Sequence, residues 1–251
     1  SSVVATVISH YFLGDVPAFI VPPYSLVNPI ELVFYALLGV VTALVGVLFI
    51  KSIYSVEDYY DGVSLPDWAK PITGGLLIGL IALIYPHILG VGYEVMDMAL
   101  FGELAWQMLI ILVAFKILAT SIALGSGGSG GVFAPSLFIG AMVGGAFGTG
   151  VNHFYPEISA SSGAYALVAM GAFVSSTTRS PITSILIIFE LTNDYKIILP
   201  LMITCILSTL ISSYMLKHSI YIMKLIRRGV DIHKHQEVNI LRSLFVGGAR
   251  S

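Results

Sequence analysis

The chain has 251 residues, of which 57% are hydrophobic and 10% charged, with a formal net charge of -2 and a mean hydropathy of +0.92. Soluble domains carry about one quarter charged residues, so this composition places the chain in the membrane class. It also argues against nucleic-acid binding, because basic residues are not in excess and gather only towards the C-terminus, in "KLIRRGVDIHKHQ" and at Arg242. The single cysteine, Cys205, excludes a disulfide framework or a cysteine metal centre within one copy, and its apolar setting "LMITCILSTL" reads as inert core.

Taken in chain order, "SSVVATVISHYF" reads as the apolar end of a helix already under way. It has no initiating Met, basic n-region or small-residue cleavage site, so the expectation is that the chain is a piece of a longer one. Apolar runs follow at 30–50, 71–86, 104–124, 133–151 and 197–214, and several approach the ~20 residues that span a bilayer. The segments 55–70 and 90–103 are rich in acidic and aromatic residues and read as interfacial or aqueous connectors. The runs "AYALVAMGAFVSS" after Gly163 and "PITSILIIFELT" after Ser180 are about 12 residues each, too short to cross about 30 Å of hydrocarbon. They are expected to be half-spanning helices, whose unpaired ends are tolerated only beneath protein or beside a water-filled cavity.

Pro135, Pro181 and Pro200 fit the first turns of helices, where a missing N–H costs nothing. After Arg228 the sequence turns polar, which divides the chain into a membrane-embedded part, 1–228, and a tail or linker, 229–251. Lys224, Arg227, Arg228 and Lys234 predict a cytoplasmic C-terminus by the positive-inside tendency. No strand alternation or short tandem repeat stands out.

The glycine-rich loop "GSGGSGGVFAP", 125–135, is the most informative stretch. Gly125, Gly127 and Gly130 satisfy GxGxxG, which raises a dinucleotide site as one reading, but a helix-like run rather than a short strand precedes the loop. A P-loop fails because no Gly-Lys-Ser/Thr follows. The continuation predicts a helix with Gly140, Gly144 and Gly148 at every fourth position, beside Ala141 and Gly145, a smooth face for close helix packing. The loop glycines precede that helix and free its first N–H groups from side-chain cover. A helix N-terminus of this kind carries about half a positive charge and several unsatisfied donors, an anion site made of backbone. No lysine is needed there, and a dipolar site has the merit of letting an ion leave again.

Other polar residues are read more plainly. Glu190 is expected to end a short helix near water, Lys116 to snorkel from a tilted span, and Arg179 to face water or pair with an acid. The histidines His10, His87, His153, His218, His233 and His235 are scattered, and only "HKH" has a ligand-like spacing, so they read as solvated rather than as a metal site.

Three segments, "GSGGSGGVFAPSLFIGAMVGGAFG", "MGAFVSSTTRSPITSILIIFELTNDYKIILP" and "YIMKLIRRG", resemble the C-terminal half of the CLC chloride channels and chloride/proton exchangers, over residues 1 to about 228. The resemblance implies an all-α integral membrane fold of tilted, partly half-spanning helices, of which this chain holds the second inverted-repeat half. It implies that chloride, as transported ligand, is held in the segment Gly131, Val132, Phe133 and Ala134, chiefly by the amides of Val132 and Phe133, with Pro135 at the helix start. A hydroxyl would come from Tyr221, which without the resemblance reads as an interfacial anchor.

The same resemblance implies no enzymatic chemistry, no cofactor, and a homodimer with a pore in each subunit. In that arrangement "ELTNDYKIILPLMIT" helps form the subunit interface, lipid exposure being the equally simple reading. The family's Gly-Ser-Gly-Ile-Pro and Gly-Arg-Glu-Gly-Pro stretches, with the ion-binding serine and gating glutamate, do not occur here, nor does the inner proton-transfer glutamate. The resemblance therefore gives about half of a chloride site and makes the N-terminal half of the same subunit a partner. A half-molecule pairing with a separately encoded first half is an alternative reading. Channel and exchanger both stay open, as does a CBS-type domain beyond the tail.

Overall fold

The structure is a computed structural model, and it describes residues 2–14, 19, 28–192 and 195–227. Among these no strand occurs. The helices are α1 (Ser2–Leu13), α2 (Glu31–Gly62), α3 (Lys70–Ile84), α4 (Tyr93–Leu100), α5 (Trp106–Gly125), α6 (Phe133–Phe154), α7 (Ser162–Thr178), α8 (Pro181–Thr192), α9 (Ile198–Met215) and α10 (Ile220–Arg227). By length and apolar composition α2, α5, α6 and the stretch Tyr195–Arg227, which contains α9, can cross a membrane. The tail 229–251, with His233, Lys234 and His235, and also Arg228, Asn193 and Asp194, lies outside the described residues.

The predicted prolines fall where the chain needs no donor. Pro181 opens α8, and Pro135 and Pro200 lie in the first turns of α6 and α9. Three expectations are corrected. Residues 55–62 are not connector but the last turns of α2, because no Gly or Pro interrupts the chain between Gly46 and Gly62. The segment 90–103 contains α4, entered through Gly92 at φ 82. Finally, α7 has 17 residues rather than about 12, about 26 Å at 1.5 Å per residue, which is still short of the about 30 Å of hydrocarbon. In its last turns the hydroxyls of Ser176, Thr177 and Thr178 bond carbonyls of Phe173 and Val174 on their own helix, so that none is left unpaired.

α7 is the centre of the molecule, buried from Gly163 to Thr177. The glycine face of α6 lies against it, so close that a Cβ on Gly140 would stand 2.6 Å from the Ala169 carbonyl oxygen and 2.7 Å from the Met170 Cα. A Cβ on Gly148 would stand 2.8 Å from the Ser162 Cα. In lipid, where helix association has no hydrophobic driving force, such contact supplies the packing energy. On the other flank of α6, Gly145 faces Leu109 of α5.

Between α7, α9 and α2 runs a seam of hydroxyls. The Ser175 Oγ donates to the Cys205 carbonyl at 3.1 Å, and the Ser212 Oγ to the Ser176 carbonyl at 2.7 Å. The Thr204 Oγ1 bonds both the Pro200 carbonyl of its own helix, at 2.8 Å, and the Tyr35 carbonyl of α2, at 3.1 Å. Likewise the Thr42 Oγ1 reaches the Leu38 carbonyl at 2.9 Å and the Ser208 Oγ at 3.1 Å. Cys205, buried and free, sits inside this seam as core.

Lys116 does not snorkel. It is 3% exposed, and its Nζ donates to the carbonyls of Ile88 and Gly90 at 2.9 Å each while lying 4.5 Å from the centre of the Phe138 ring. Three partners inside the fold replace the water it would otherwise seek, and in doing so they fasten the turn before α4 onto α5. Glu190 is exposed near the end of α8, and no metal-binding group of His, Cys, Asp or Glu occurs among the described residues.

Candidate functional site

The loop between α5 and α6 folds as it does because of two glycines. A Cβ on Gly125 would come within 2.9 Å of the Glu57 nitrogen, so only glycine lets the end of α5 abut the backbone of α2. Two residues on, Gly127 takes φ 86, the left-handed region that favours glycine. A helix, not a strand, precedes the loop, so the strand that a dinucleotide fingerprint requires is missing here.

The chain then turns into α6 at Val132, which has no side-chain cap, and no acidic residue lies in the first turn. Ser136 holds that turn, donating to the Val132 carbonyl from its N–H at 3.0 Å and its Oγ at 2.7 Å. Pro135 carries no N–H. Among the described residues, no carbonyl or side chain accepts from the N–H groups of Val132, Phe133 or Ala134. A Cβ on Gly131 would meet nothing within 4 Å, so the backbone there is bare.

A cavity of about 190 Å³ lies against this helix start. Of the residues expected from sequence, Gly131, Val132, Phe133 and Tyr221 line it, whereas Ala134 and Pro135 belong to the same first turn without lining it. Tyr221 comes from α10, the eight-residue helix at the other end of the chain.

Sequence reasoning missed three polar neighbours, Tyr54 and Glu57 of α2 and Lys224 of α10. For the two on α2 the signal was the spacing of Tyr54, Glu57 and Asp58, which share one face when α2 continues as helix. The dipolar reading needs no lysine, yet helix α10 brings one, Lys224, in from a distant part of the chain. Lys224 is exposed, and Glu57 lines the same cavity with the opposite formal charge. Lys224, being exposed, is screened by water and salt, whereas Glu57 is half-buried.

What fixes α10 is a set of contacts from other helices. The Tyr54 hydroxyl donates to the Ile220 carbonyl. The Arg227 guanidinium pairs with Asp58, its Nη2 3.1 Å from Oδ2, and stacks 4.5 Å from the Tyr54 ring centre. Arg179, expected to face water or pair with an acid, is half-buried and bonds main-chain carbonyls rather than an acid. Its Nη1 donates to the Lys217 carbonyl at 2.7 Å and its Nη2 to the Leu216 carbonyl, just past α9. Arg179 is also the one non-glycine with positive φ, 61, among the described residues, a conformation that costs an L-residue about 1–2 kcal/mol. A larger recess, of about 660 Å³, lies beside the start of α4 and holds none of the expected site residues.

These features define a class: an all-helical membrane protein in which an interrupted helix turns uncapped backbone donors towards a small cavity. Residues 1–213 match the family described as voltage gated chloride channel. The chain is 34% identical over 217 residues to the H(+)/Cl(-) exchange transporter ClcA of Yersinia pestis bv. Antiqua (strain Angola), covering 85% of this chain and 45% of the relative. It is 38% identical over 220 residues to the chloride channel protein CLC-e of Arabidopsis thaliana, covering 80% of this chain and 31% of that protein. Among solved structures, that of a slow cyanobacterial Cl-/H+ antiporter superposes with a TM-score of 0.82 at 28% identity, over 92% of this chain and 55% of that one. The chain belongs to the voltage gated chloride channel family, the CLC family, and is a multi-pass integral membrane protein. It spans less than half the length of the two named relatives.

Proposed function

We propose that this chain supplies the second half of a CLC-type chloride pathway, with the anion resting against the Val132 and Phe133 amides and beside the Tyr221 hydroxyl. The observation that carries the reading is the convergence of an unpaired helix N-terminus and a distant phenol on one small cavity. Gly131 leaves the approach open, and Ala134 adds a donor one residue further along the turn. A helix end attracts an anion through partial charges on its free N–H groups. A full unscreened cation about 4 Å away would add roughly 4 kcal/mol at an effective dielectric near 20 and hold the ion too long for passage.

In the same reading residues 1–228 form the C-terminal half of the transmembrane domain and 229–251 a cytoplasmic tail. The remaining half of the site comes from the N-terminal half of the same subunit, and two subunits associate as a homodimer with a pore in each. Chloride is the transported ligand, no cofactor takes part, and transport involves no covalent step. The relatives include both a named exchanger and a named channel, and the reading holds for either.

Replacing Tyr221 by Ala or Phe in the intact protein is expected to weaken chloride binding by about tenfold, measured by calorimetry, because a hydrogen bond to a charged group contributes about 1.5–3 kcal/mol. Unchanged affinity would remove Tyr221 from the site. In crystals soaked with bromide, an anomalous peak is expected next to the Val132 and Phe133 amides. A peak elsewhere only would contradict the placement.

A further inference from the structure

Two elements carry the proposed site, and nothing in the sequence joins them: the start of α6 bears the amides, and α10 bears Tyr221. They are brought into register through α7. One side of α7 is packed against the glycine face of α6 without room for a methyl group. Its C-terminal end delivers Arg179, which grips the link 216–219 between α9 and α10.

That grip falls on two successive carbonyls, those of Leu216 and Lys217, and the planar fork of an arginine suits a pair of acceptors held at fixed spacing. At the far end of the link the Tyr54 hydroxyl holds the Ile220 carbonyl, and Tyr221 is the next residue. The segment before the phenol is therefore pinned at both ends by side chains from other helices.

Simple capping of α9 is the plainer account, since cations favour helix C-termini. It does not explain the backbone. A glycine at 179 would end α7 without strain, yet the chain places a long side chain on a left-handed backbone there, and such outliers mark positions where the side chain's bonds offset the strain.

We propose that Arg179 is a positioning residue for the anion site: it transfers the placement of α7, and with it of the α6 amides, to the link that sets the Tyr221 hydroxyl. The inference rests on the chloride reading given above and deepens it, since it assigns a residue outside the cavity to the geometry of the site.

The test is a double-mutant cycle on chloride affinity in the intact protein, read by calorimetry. Arg179→Gly keeps the left-handed backbone and removes the fork together with its charge. It is expected to weaken chloride binding by about fivefold or more while Tyr221 is present, and by less than about twofold in a Tyr221→Phe background. Arg179→Lys, which keeps the charge but not the fork, is expected to show the same pattern at smaller size, and it carries the cycle if the glycine variant is not recovered folded.

Wild-type affinity in both Arg179 variants, with Tyr221→Phe weakened, overturns the positioning role and leaves the anion site standing. An equal loss in both backgrounds also overturns it, because the effect then does not pass through the phenol. Unchanged affinity in Tyr221→Phe removes the phenol from the site, and overturns the inference with it.

Discussion

Replacing Gly144 by valine is expected to abolish recovery of folded protein, with the monodisperse peak on size exclusion lost and the material aggregated. At Gly144 an added Cβ would be driven into the carbonyl oxygen of Tyr165 and the Ala169 side chain, and it would also stand 2.7 Å from the Ala166 Cα. Backbone atoms cannot rotate away as a side chain can, so relief requires α6 and α7 to separate. α7 has nowhere to go, since it is buried along nearly its whole length and also packs on α2, α8 and α9. Overpacking a core usually costs about 1–3 kcal/mol, and a clash with backbone at the centre of the molecule belongs at or above the top of that range. Against a stability of about 5–15 kcal/mol, that is a large share. Gly150→Val on the same helix is the control, because a Cβ there meets nothing within 4 Å and the variant is expected to fold.

The second large effect is expected from Lys116→Met, which removes a buried cation of similar length. Two terms oppose each other. The protein is relieved of desolvating an ammonium group, while the carbonyls of Ile88 and Gly90 lose charge-assisted donors. Gly90 is exposed and its carbonyl can turn to water, but Ile88 is buried and its carbonyl cannot. The thermal unfolding midpoint is expected to fall by an amount equivalent to about 2 kcal/mol. Amide exchange is expected to rise through the turn 85–92 and into α4 before it rises elsewhere. Exchange unchanged in that turn would show that the lysine does not fasten it.

Much of the fold was legible because apolar runs and prolines are local signals. The runs at 71–86, 104–124, 133–151 and 197–214 became α3, α5, α6 and α9 within a few residues, and the four-residue glycine spacing announced the face that meets α7. The errors share another origin. Glu57 and Asp58 look like a solvated connector until Arg227 is seen to pair with Asp58 from 169 residues away, and acidic residues near a helix C-terminus are disfavoured without such a partner. Lys116 was misread, and the partners of Arg179 went unseen, for the same reason: those partners are main-chain carbonyls, which no side-chain pattern advertises. At the candidate site the uncapped start of α6 was legible from its loop glycines. Tyr54, Glu57 and Lys224 were not, since their presence depends on where α2 ends and how α10 folds back.

The hydroxyl seam bears on how the protein is made. Thr42 and Thr204 each bond a carbonyl of their own helix as well as a group on a neighbour. While such a helix is still solitary after insertion, its own carbonyl already satisfies the hydroxyl, so entering the oily phase does not strand these two groups. Once the segments meet, the single hydroxyl proton of Thr204 is shared between the Pro200 and Tyr35 carbonyls. Biogenesis can therefore proceed one segment at a time, and the late docking of α9 onto α2 is guided by polar groups that were never exposed as a liability on the way.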